Sequence, residues 1–165
     1  MKTKSIVSVA ILLFSISSFC FSQSKKEIKK FKIKSVTTSV TETGADGKEK
    51  TRTDSQMKYD NAGNVIEETE YNKDGSVKKK TSRKFNKEND VVEEEVFDGK
   101  DKTSEKTQFG YNPRGEKTFE ITIDDKGKLI KKSIYTYDKN GMKTEKKTSD
   151  DKGNAISSKK YTYEY

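Results

Sequence analysis

The chain repeats itself with a period of 26 residues, and this spacing limits the folds that it can adopt. Each unit opens with an aromatic residue. In the four full units, Asp or Asn follows it, and Gly or Asn comes three residues after that. The opening residues are Tyr59, Phe85, Tyr111, Tyr137 and Tyr163. The period predicts an array of equivalent units, each contacting mainly its neighbours.

The recurring positions have the chemistry of hairpin turns. Asp or Asn at the first corner accepts a hydrogen bond from the backbone two residues on, and Gly or Asn at the fourth position accepts a left-handed conformation. The only proline, Pro113, takes the second position of an NPRG turn, where its fixed φ suits a type I turn. A second turn signal recurs at Gly75, Gly127 and Gly153, while the one at Asp98 comes two residues early.

The segments between these turns alternate with period two and are rich in Thr, Val, Ile, Tyr and Phe, as strands are. Short turns between consecutive strands require antiparallel pairing. The sequence therefore predicts an all-β fold, an antiparallel meander of about ten strands in a single-layer or loosely rolled sheet. The predicted strands are 28–43, 49–59, 64–72, 76–86, 90–97, 102–112, 116–123, 128–138, 142–149 and 154–165.

The alternation also predicts two unequal faces. Counted from the opening aromatic, the odd positions collect most apolar side chains, and the even ones are mostly Lys, Glu, Thr and Ser. We therefore expect one semi-apolar face and one fully hydrated face. The odd set is Val65, Tyr71, Val77, Phe97, Phe109, Tyr111, Ile121, Ile123, Leu129, Tyr135, Tyr137, Tyr161 and Tyr163.

Lysines crowd the predicted first strand, where charge discourages sheets from joining edge to edge. They are Lys25, Lys26, Lys29, Lys30, Lys32 and Lys34.

Composition excludes a thick two-layer core. Hydrophobic residues make up 28% of the chain, whereas ordinary domains have about 45–50%. Intrinsic disorder is the competing interpretation of such a composition. The regular repeat of turns and alternating segments favours a folded, thin sheet instead.

The N-terminus has the layout of a secretory signal peptide. Lys2 and Lys4 precede an apolar run, and small residues stand at the −3 and −1 positions before Gln23. We expect a signal peptide over 1–22, N-terminal strands with a degenerate repeat over 23–58, and the repeat region over 59–165, the last two forming one domain. Cys20 is either part of that signal or the lipid-modified residue of a lipoprotein, although the Phe19 before it does not suit lipidation. The chain is predicted to be exported, to the periplasm, the outer-membrane surface or the medium, with no transmembrane segment after signal removal.

One unit carries a recognisable motif. The run YDNAGNV, beginning at Tyr59, resembles the YD repeat of RHS-type proteins, whose signature is Y-D-x-x-G-N followed by an apolar residue. The run YDKNG at Tyr137 matches five positions before Met142 departs from the pattern. The resemblance covers about 59–165 and implies a bacterial exported β-repeat protein. RHS proteins wind many such repeats into a shell around a toxic cargo, and four or five units are too few to close one. The composition is also similar to that of spirochaetal outer-surface lipoproteins with a single-layer sheet.

No catalytic constellation is evident in the sequence. There is no His, the one Cys lies in the predicted signal, and nucleophilic catalysis needs a base beside its nucleophile. The carboxylate pairs at Asp124 and Asp150 occupy turn positions, and the Asp-rich turns lack the distal Glu of an EF-hand. We therefore predict a protein that is not an enzyme and has no cofactor or metal. Its positive charge, +8 overall and about +6 after signal removal, comes mostly from Lys. Because specific phosphate recognition favours the planar guanidinium of Arg, we predict no specific binding of nucleic acid.

The tyrosines are the candidate binding surface. Aromatic side chains stack on sugar rings or pack against a protein partner, and the same residues also serve as the apolar spine of a thin sheet. The predicted function is surface contact with a protein, a glycan or a second copy, through this face or through the C-terminal edge strand. The alternatives are a structural spacer or RHS-like fragment with no ligand, and an accessory module of an enzyme system. The candidate residues are Tyr135, Tyr137, Tyr161, Tyr163 and Tyr165.

Overall fold

The computed structural model describes residues 24–164. The predicted signal peptide, Cys20 and Tyr165 lie outside these residues. Ten strands form one sheet in chain order, every neighbour antiparallel, so the predicted meander is confirmed. The first and last strands are not paired with each other, and the sheet is open. The strands are β1 (Ser35–Thr43), β2 (Glu49–Tyr59), β3 (Val65–Tyr71), β4 (Val77–Phe85), β5 (Val91–Asp98), β6 (Thr103–Tyr111), β7 (Lys117–Asp124), β8 (Leu129–Tyr137), β9 (Lys143–Asp150) and β10 (Ala155–Lys160).

Seven of the nine turns between strands have the predicted chemistry. At the turn between β2 and β3, the Asp60 carboxylate accepts hydrogen bonds from the backbone N–H groups of Ala62 and Asn64, both at 2.8 Å. Gly63 has a φ of +80°, which a residue with a side chain rarely adopts. Asn89 takes the same position in the second unit with a φ of +67°. Each turn therefore ends one strand and fixes the start of the next.

The first predicted strand is wrong over its N-terminal part. Lys25–Lys30 form a short helix, α1, and β1 begins only at Ser35. Ser24 accepts a hydrogen bond from the Glu27 backbone while the Glu27 side chain binds the Ser24 backbone, a capping box that starts the helix. Ile28 on this helix is 1% exposed and is the most buried hydrophobic side chain among the described residues.

This correction changes the charge of the first edge strand. The lysines expected to protect it lie on α1 and in the segment that follows, and β1 itself carries Glu42 as its one charged residue. The protection expected from the N-terminal lysines therefore does not apply to β1.

The predicted division into an apolar and a hydrated face is also wrong. Directly paired residues of antiparallel strands project to the same face. Tyr135 pairs with Lys146 on the side that we call face A, whereas Ile134 pairs with Phe119 on the opposite side, face B. By the same pairing, Phe109 lies on face A, and Phe97, Ile121 and Ile123 lie on face B.

Irregularities in the sheet explain this error. Eight of the nine strand pairs contain a register shift, seven of them beside a turn. A bulge adds one residue to one strand, so the alternation of faces reverses there. Counting odd positions through a unit therefore crosses from one face to the other.

The interior of the sheet is polar and thin. Apart from Ile28, the only hydrophobic side chain among residues 24–164 that is buried is Tyr135, at 9% exposure. Small hydroxyl residues fill the middle of the strands, and they pair across them: Thr107 with Thr122 at 3.0 Å, and Ser133 with Thr148 at 2.9 Å. Longer side chains around them cover these short Thr and Ser side chains. This polar layer takes the place of a hydrophobic core.

The last strand is shorter than predicted. β10 ends at Lys160, although the Tyr161 backbone N–H still donates to the Thr144 carbonyl at 3.1 Å. All six residues of β10 are exposed. Its inner edge pairs with β9, and no other described strand lies at its outer edge.

Candidate binding surface

The opening tyrosines of three repeats tie neighbouring strands together. The hydroxyl of Tyr111, at the end of β6, donates to the carbonyl of Val91, at the start of β5, at 2.8 Å. Tyr137 and Tyr163 make the same bond to the carbonyls of Lys117 and Lys143, at 2.8 Å and 2.9 Å. Burial raises the pKa of the Tyr111 and Tyr137 hydroxyls, which keeps them protonated as donors. Tyr137 and Tyr163 therefore have a structural role whatever else they contact.

A second series of aromatics, also spaced by 26 residues, stacks with lysines on face A. The series is Phe109, Tyr135 and Tyr161. The Tyr135 ring has three ammonium groups near it, each at a distance that allows a cation–π interaction. The distances to the ring centre are 4.8 Å for Lys143, 5.1 Å for Lys146 and 5.9 Å for Lys117.

An ion pair supports this stack. The Lys146 ammonium lies 2.5 Å from the Glu120 carboxylate, and both side chains are mostly covered. Burial opposes ionisation of Glu120, but the hydrogen bonds from Lys146 and Tyr135 and the charges of Lys146 and Lys117 together outweigh it, so the pKa of the carboxyl is lowered. Burial similarly opposes the charge on Lys146, yet its bonds to Glu120 and Tyr135 raise the pKa of the ammonium. The pair holds Lys146 beside the Tyr135 ring.

The structure separates the five predicted surface residues. Tyr135 is buried at 9% exposure, and Tyr137 is half-buried with its hydroxyl bonded. Tyr161 and Tyr163 are 38% and 40% exposed, and Tyr165 lies outside the described residues. Of the described four, only Tyr161 and Tyr163 present much of their rings to a partner.

Face B carries an apolar patch that the sequence interpretation missed. Phe119, Ile134 and Ile156 are 37%, 49% and 57% exposed. Phe119 pairs directly with Ile134, and Ile121 lies two residues from Phe119 along the same strand on the same face. We call Phe119, Ile121, Ile134 and Ile156 the apolar patch.

A glycine fixes one side of the patch. Gly110 pairs with Phe119, and a Cβ added to Gly110 would lie 2.1 Å from the Phe119 ring. The ring therefore lies directly over the β6 backbone and stays on face B. Counting the bulges would have been needed to find this arrangement from the sequence.

Beside Phe119, the patch opens into a shallow groove of about 340 Å³. Ile134 and Ile156 form its apolar walls, and Lys132 and Lys147 lie at its sides. Such a strip of exposed hydrophobic surface with charged margins is typical of an interaction surface.

The N-terminal half of face B is built differently. Lys58 and Lys80 both bind the Glu67 carboxylate, at 2.7 Å and 2.8 Å, and Lys84 binds Glu93 at 2.9 Å. These hydrogen bonds from lysine lower the pKa of both carboxyls. The cations and anions of this half of face B therefore neutralise each other across the strands.

The carboxylates considered for catalysis act in turns. Asp124 accepts from the backbone N–H groups of Lys126 and Lys128, at 3.0 Å and 2.8 Å, and Asp150 bonds the turn after β9 in the same way. The hydrogen bond from the Asn154 side chain lowers the pKa of Asp150. Among residues 24–164, no group of three or more His, Cys, Asp or Glu side chains is placed to hold a metal ion.

Comparison of the chain with protein-family models and with curated proteins found no match. The likeness to the YD repeat therefore stays a prediction from the Tyr59 motif. Within the described part of the chain, no helix is long and apolar enough to cross a membrane.

Proposed function

We propose that this chain is a non-enzymatic, exported repeat protein that acts by surface contact, and that its contact surface lies on the C-terminal strands. The observation that carries the proposal is the exposure of Phe119, Ile134 and Ile156 in a chain with 38% charged residues. A contiguous exposed apolar patch is typical of an interaction site. The signal-like N-terminus supports export.

The arrangement of covered and uncovered faces supports the same proposal. At the other end of the sheet, Ile28 of α1 lines a cavity on face A together with Tyr59, Val65 and Phe85. The apolar patch has no such cover among residues 24–164. Removing its apolar area from water would contribute about 25 cal/mol per Å² to a complex. A partner that brings an apolar strip of its own fits the patch best.

A contact test follows from this placement. In the Ile134→Ser/Ile156→Ser variant, we expect weaker self-association and weaker binding to purified envelope polysaccharide, whichever the wild type shows. The far-UV CD spectrum should not change. Both side chains are about half exposed, so the fold should tolerate the change. Lys84→Ser, on the charged half of face B, is the matched control and should bind as the wild type does. Equal behaviour of the double variant and the wild type in both assays would contradict the proposal.

A structural spacer without a ligand is the second candidate. It is favoured by the three tyrosine hydroxyls that donate to backbone carbonyls rather than facing solvent. On this hypothesis, the wild-type protein stays monomeric at every concentration and binds neither a glycan nor a protein. The same assays therefore distinguish the two functions.

A further inference from the structure

We infer that the outer edge of β10 binds the outer edge of β1 from a second copy of this chain, so that copies join head to tail into a longer sheet. The inference goes beyond the proposed function, because it places association between copies at the strand edges and leaves the apolar patch to a separate contact. The first observation concerns one position of the repeat, which is aromatic at Phe109, Tyr135 and Tyr161.

At two of these three positions, the strand that follows the aromatic covers its ring with lysine. Phe109 is contacted by Lys117, eight residues later on β7, at 4.3 Å. Tyr135 is contacted by Lys143, eight residues later on β9, at 4.8 Å. Tyr161 has Lys143 from the preceding strand at 5.6 Å, and no strand follows β10 among the described residues. Tyr135 is accordingly 9% exposed and Tyr161 38%.

The direction of the strands allows β1 to fill this position. Odd strands run one way and even strands the other, so an antiparallel partner of β10 runs as the odd strands do. β1 is an odd strand, and its outer edge is unpaired in the described sheet. A second copy that places β1 there continues the meander without reversing its faces.

β1 also brings a lysine to the required face. Val36 pairs with Met57 on face A, and Lys34 lies two residues before it, where an extended chain returns to the same face. Lys34 immediately precedes β1, as Lys143 is the first residue of β9. Its ammonium contacts Asn61 within its own chain and would exchange that exposed bond for the Tyr161 ring of the neighbour.

The two edges differ in charge. β10 carries Lys159 and Lys160 and no acidic residue, whereas the one charge of β1 is Glu42. Joining two β10 edges would bring only lysine-bearing strands together, and joining two β1 edges would leave Tyr161 uncovered. The heterologous contact is therefore the favoured one, and contacts of this kind extend into open assemblies.

Proline substitutions block each edge separately. The Tyr161 N–H points inward to Thr144, so the N–H of Lys160 points outward, and Lys160→Pro removes a donor from the free edge of β10. The Lys34 carbonyl accepts from Tyr59, so the N–H of Thr37, three residues on, also points outward, and Thr37→Pro blocks β1. Lys160→Ala and Thr37→Ala are the matched controls, because they keep the backbone donor.

Light scattering on the purified protein over a range of concentrations tests the inference. We expect the wild type and both alanine controls to grow in average mass without a plateau at two copies. Each proline variant alone should stay monomeric. An equimolar mixture of the two should form a dimer and stop there, because each supplies the edge that the other lacks.

Other outcomes overturn the inference, and they separate it from the proposed function. Dimers of Thr37→Pro alone would show that β10 pairs with itself. Association that survives both prolines but is lost in Ile134→Ser/Ile156→Ser would place the contact on the apolar patch and leave the proposed function standing. A wild-type protein that stays monomeric and binds no polysaccharide would contradict both the inference and the proposed function.

Discussion

The two halves of face B share one backbone pattern and differ in the side chains that they carry. Between β2 and β6, oppositely charged side chains meet across the strands, as at Glu67 with its two lysines. Between β7 and β10, the equivalent rows carry Phe119, Ile134 and Ile156, all exposed. The repeat therefore fixes the positions of the side chains. Their chemistry determines which half of face B is neutralised by ion pairs and which half exposes apolar surface.

The N-terminal and C-terminal halves of the sheet also differ in the contacts that hold them together without a hydrophobic core. Exposed ion pairs contribute little, about 0.2–1 kcal/mol each, so the charged half needs many of them and the anchor of α1. The C-terminal half relies on fewer and larger contacts, centred on Tyr135 and its lysines. Removing one contact should therefore matter more in the C-terminal half.

The largest effect is expected from Tyr135→Ala, which removes that centre. We expect it to lower the free energy of unfolding by about 3 kcal/mol, because a large buried side chain is lost. Tyr161→Ala is the control at the equivalent repeat position, and its 38% exposure predicts a loss below about 1 kcal/mol. Urea unfolding followed by CD measures both, and equal losses would remove the distinction between a covered and an uncovered ring.

The next largest effect is expected at the other end of the sheet. Ile28→Ala should cost about 2 kcal/mol, because it empties the site where α1 packs on face A. Hydrogen exchange should accelerate in α1 and β2 to β4 and stay unchanged in β8 and β9. Phe31→Ala, at a residue that is 65% exposed, should leave both patterns as they are. Uniform acceleration would mean that the two halves unfold as one unit.

Acid should weaken the charged half through carboxylates such as Glu67. Hydrogen bonds from Lys58 and then Lys80 lower the pKa of Glu67 in the folded protein. Its contribution is therefore present above the unfolded pKa of about 4.3 and is lost as pH falls through the lower, folded value. In Glu67→Gln, the stability curve between about pH 6 and pH 2 should be shallower by about 0.5 kcal/mol. Glu88→Gln, at an exposed turn residue, should reproduce the wild-type curve.

Salt should produce the smallest effect and sharpen the comparison. Raising NaCl from about 0.05 M to about 0.5 M screens exposed ion pairs, which should cost the N-terminal half a few tenths of a kcal/mol. The more covered Glu120–Lys146 pair should respond less. Residue-level hydrogen exchange at both salt concentrations would reveal the difference, and an equal response of β3 and β8 would argue against it.

The strand order could be predicted from the sequence because the turn residues specify it. Asp or Asn with Gly three residues later, as at Asp60 and Gly63, forms six of the nine turns between strands, and Asn89 takes the Gly position in a seventh. Helix α1 was missed although its signal was visible. Ser24 and Glu27 form the S-x-x-E pattern of a capping box, which indicates a helix start even though the segment after it lies next to alternating residues.

The arrangement of faces could not be predicted in the same way. Where bulges occur depends on how two strands fit together, so the face of Ile121 or Ile134 depends on a register that one segment alone does not contain. The burial of Tyr135 depends on lysine stems, which hydrophobicity counts treat as polar. The candidate surface in the structure therefore includes the apolar patch on face B as well as the tyrosines that the sequence predicts.

The strictly sequential pairing of the strands governs how the protein responds to mechanical force. Because β1 and β10 are the two outermost strands, tension applied at the chain ends peels one strand at a time rather than shearing the sheet as a whole. Each 26-residue unit that detaches adds roughly 80 Å of slack, at about 3.3 Å per extended residue. Stretching should therefore give a staircase of small, regular extensions at low force, so that the molecule behaves as a compliant tether.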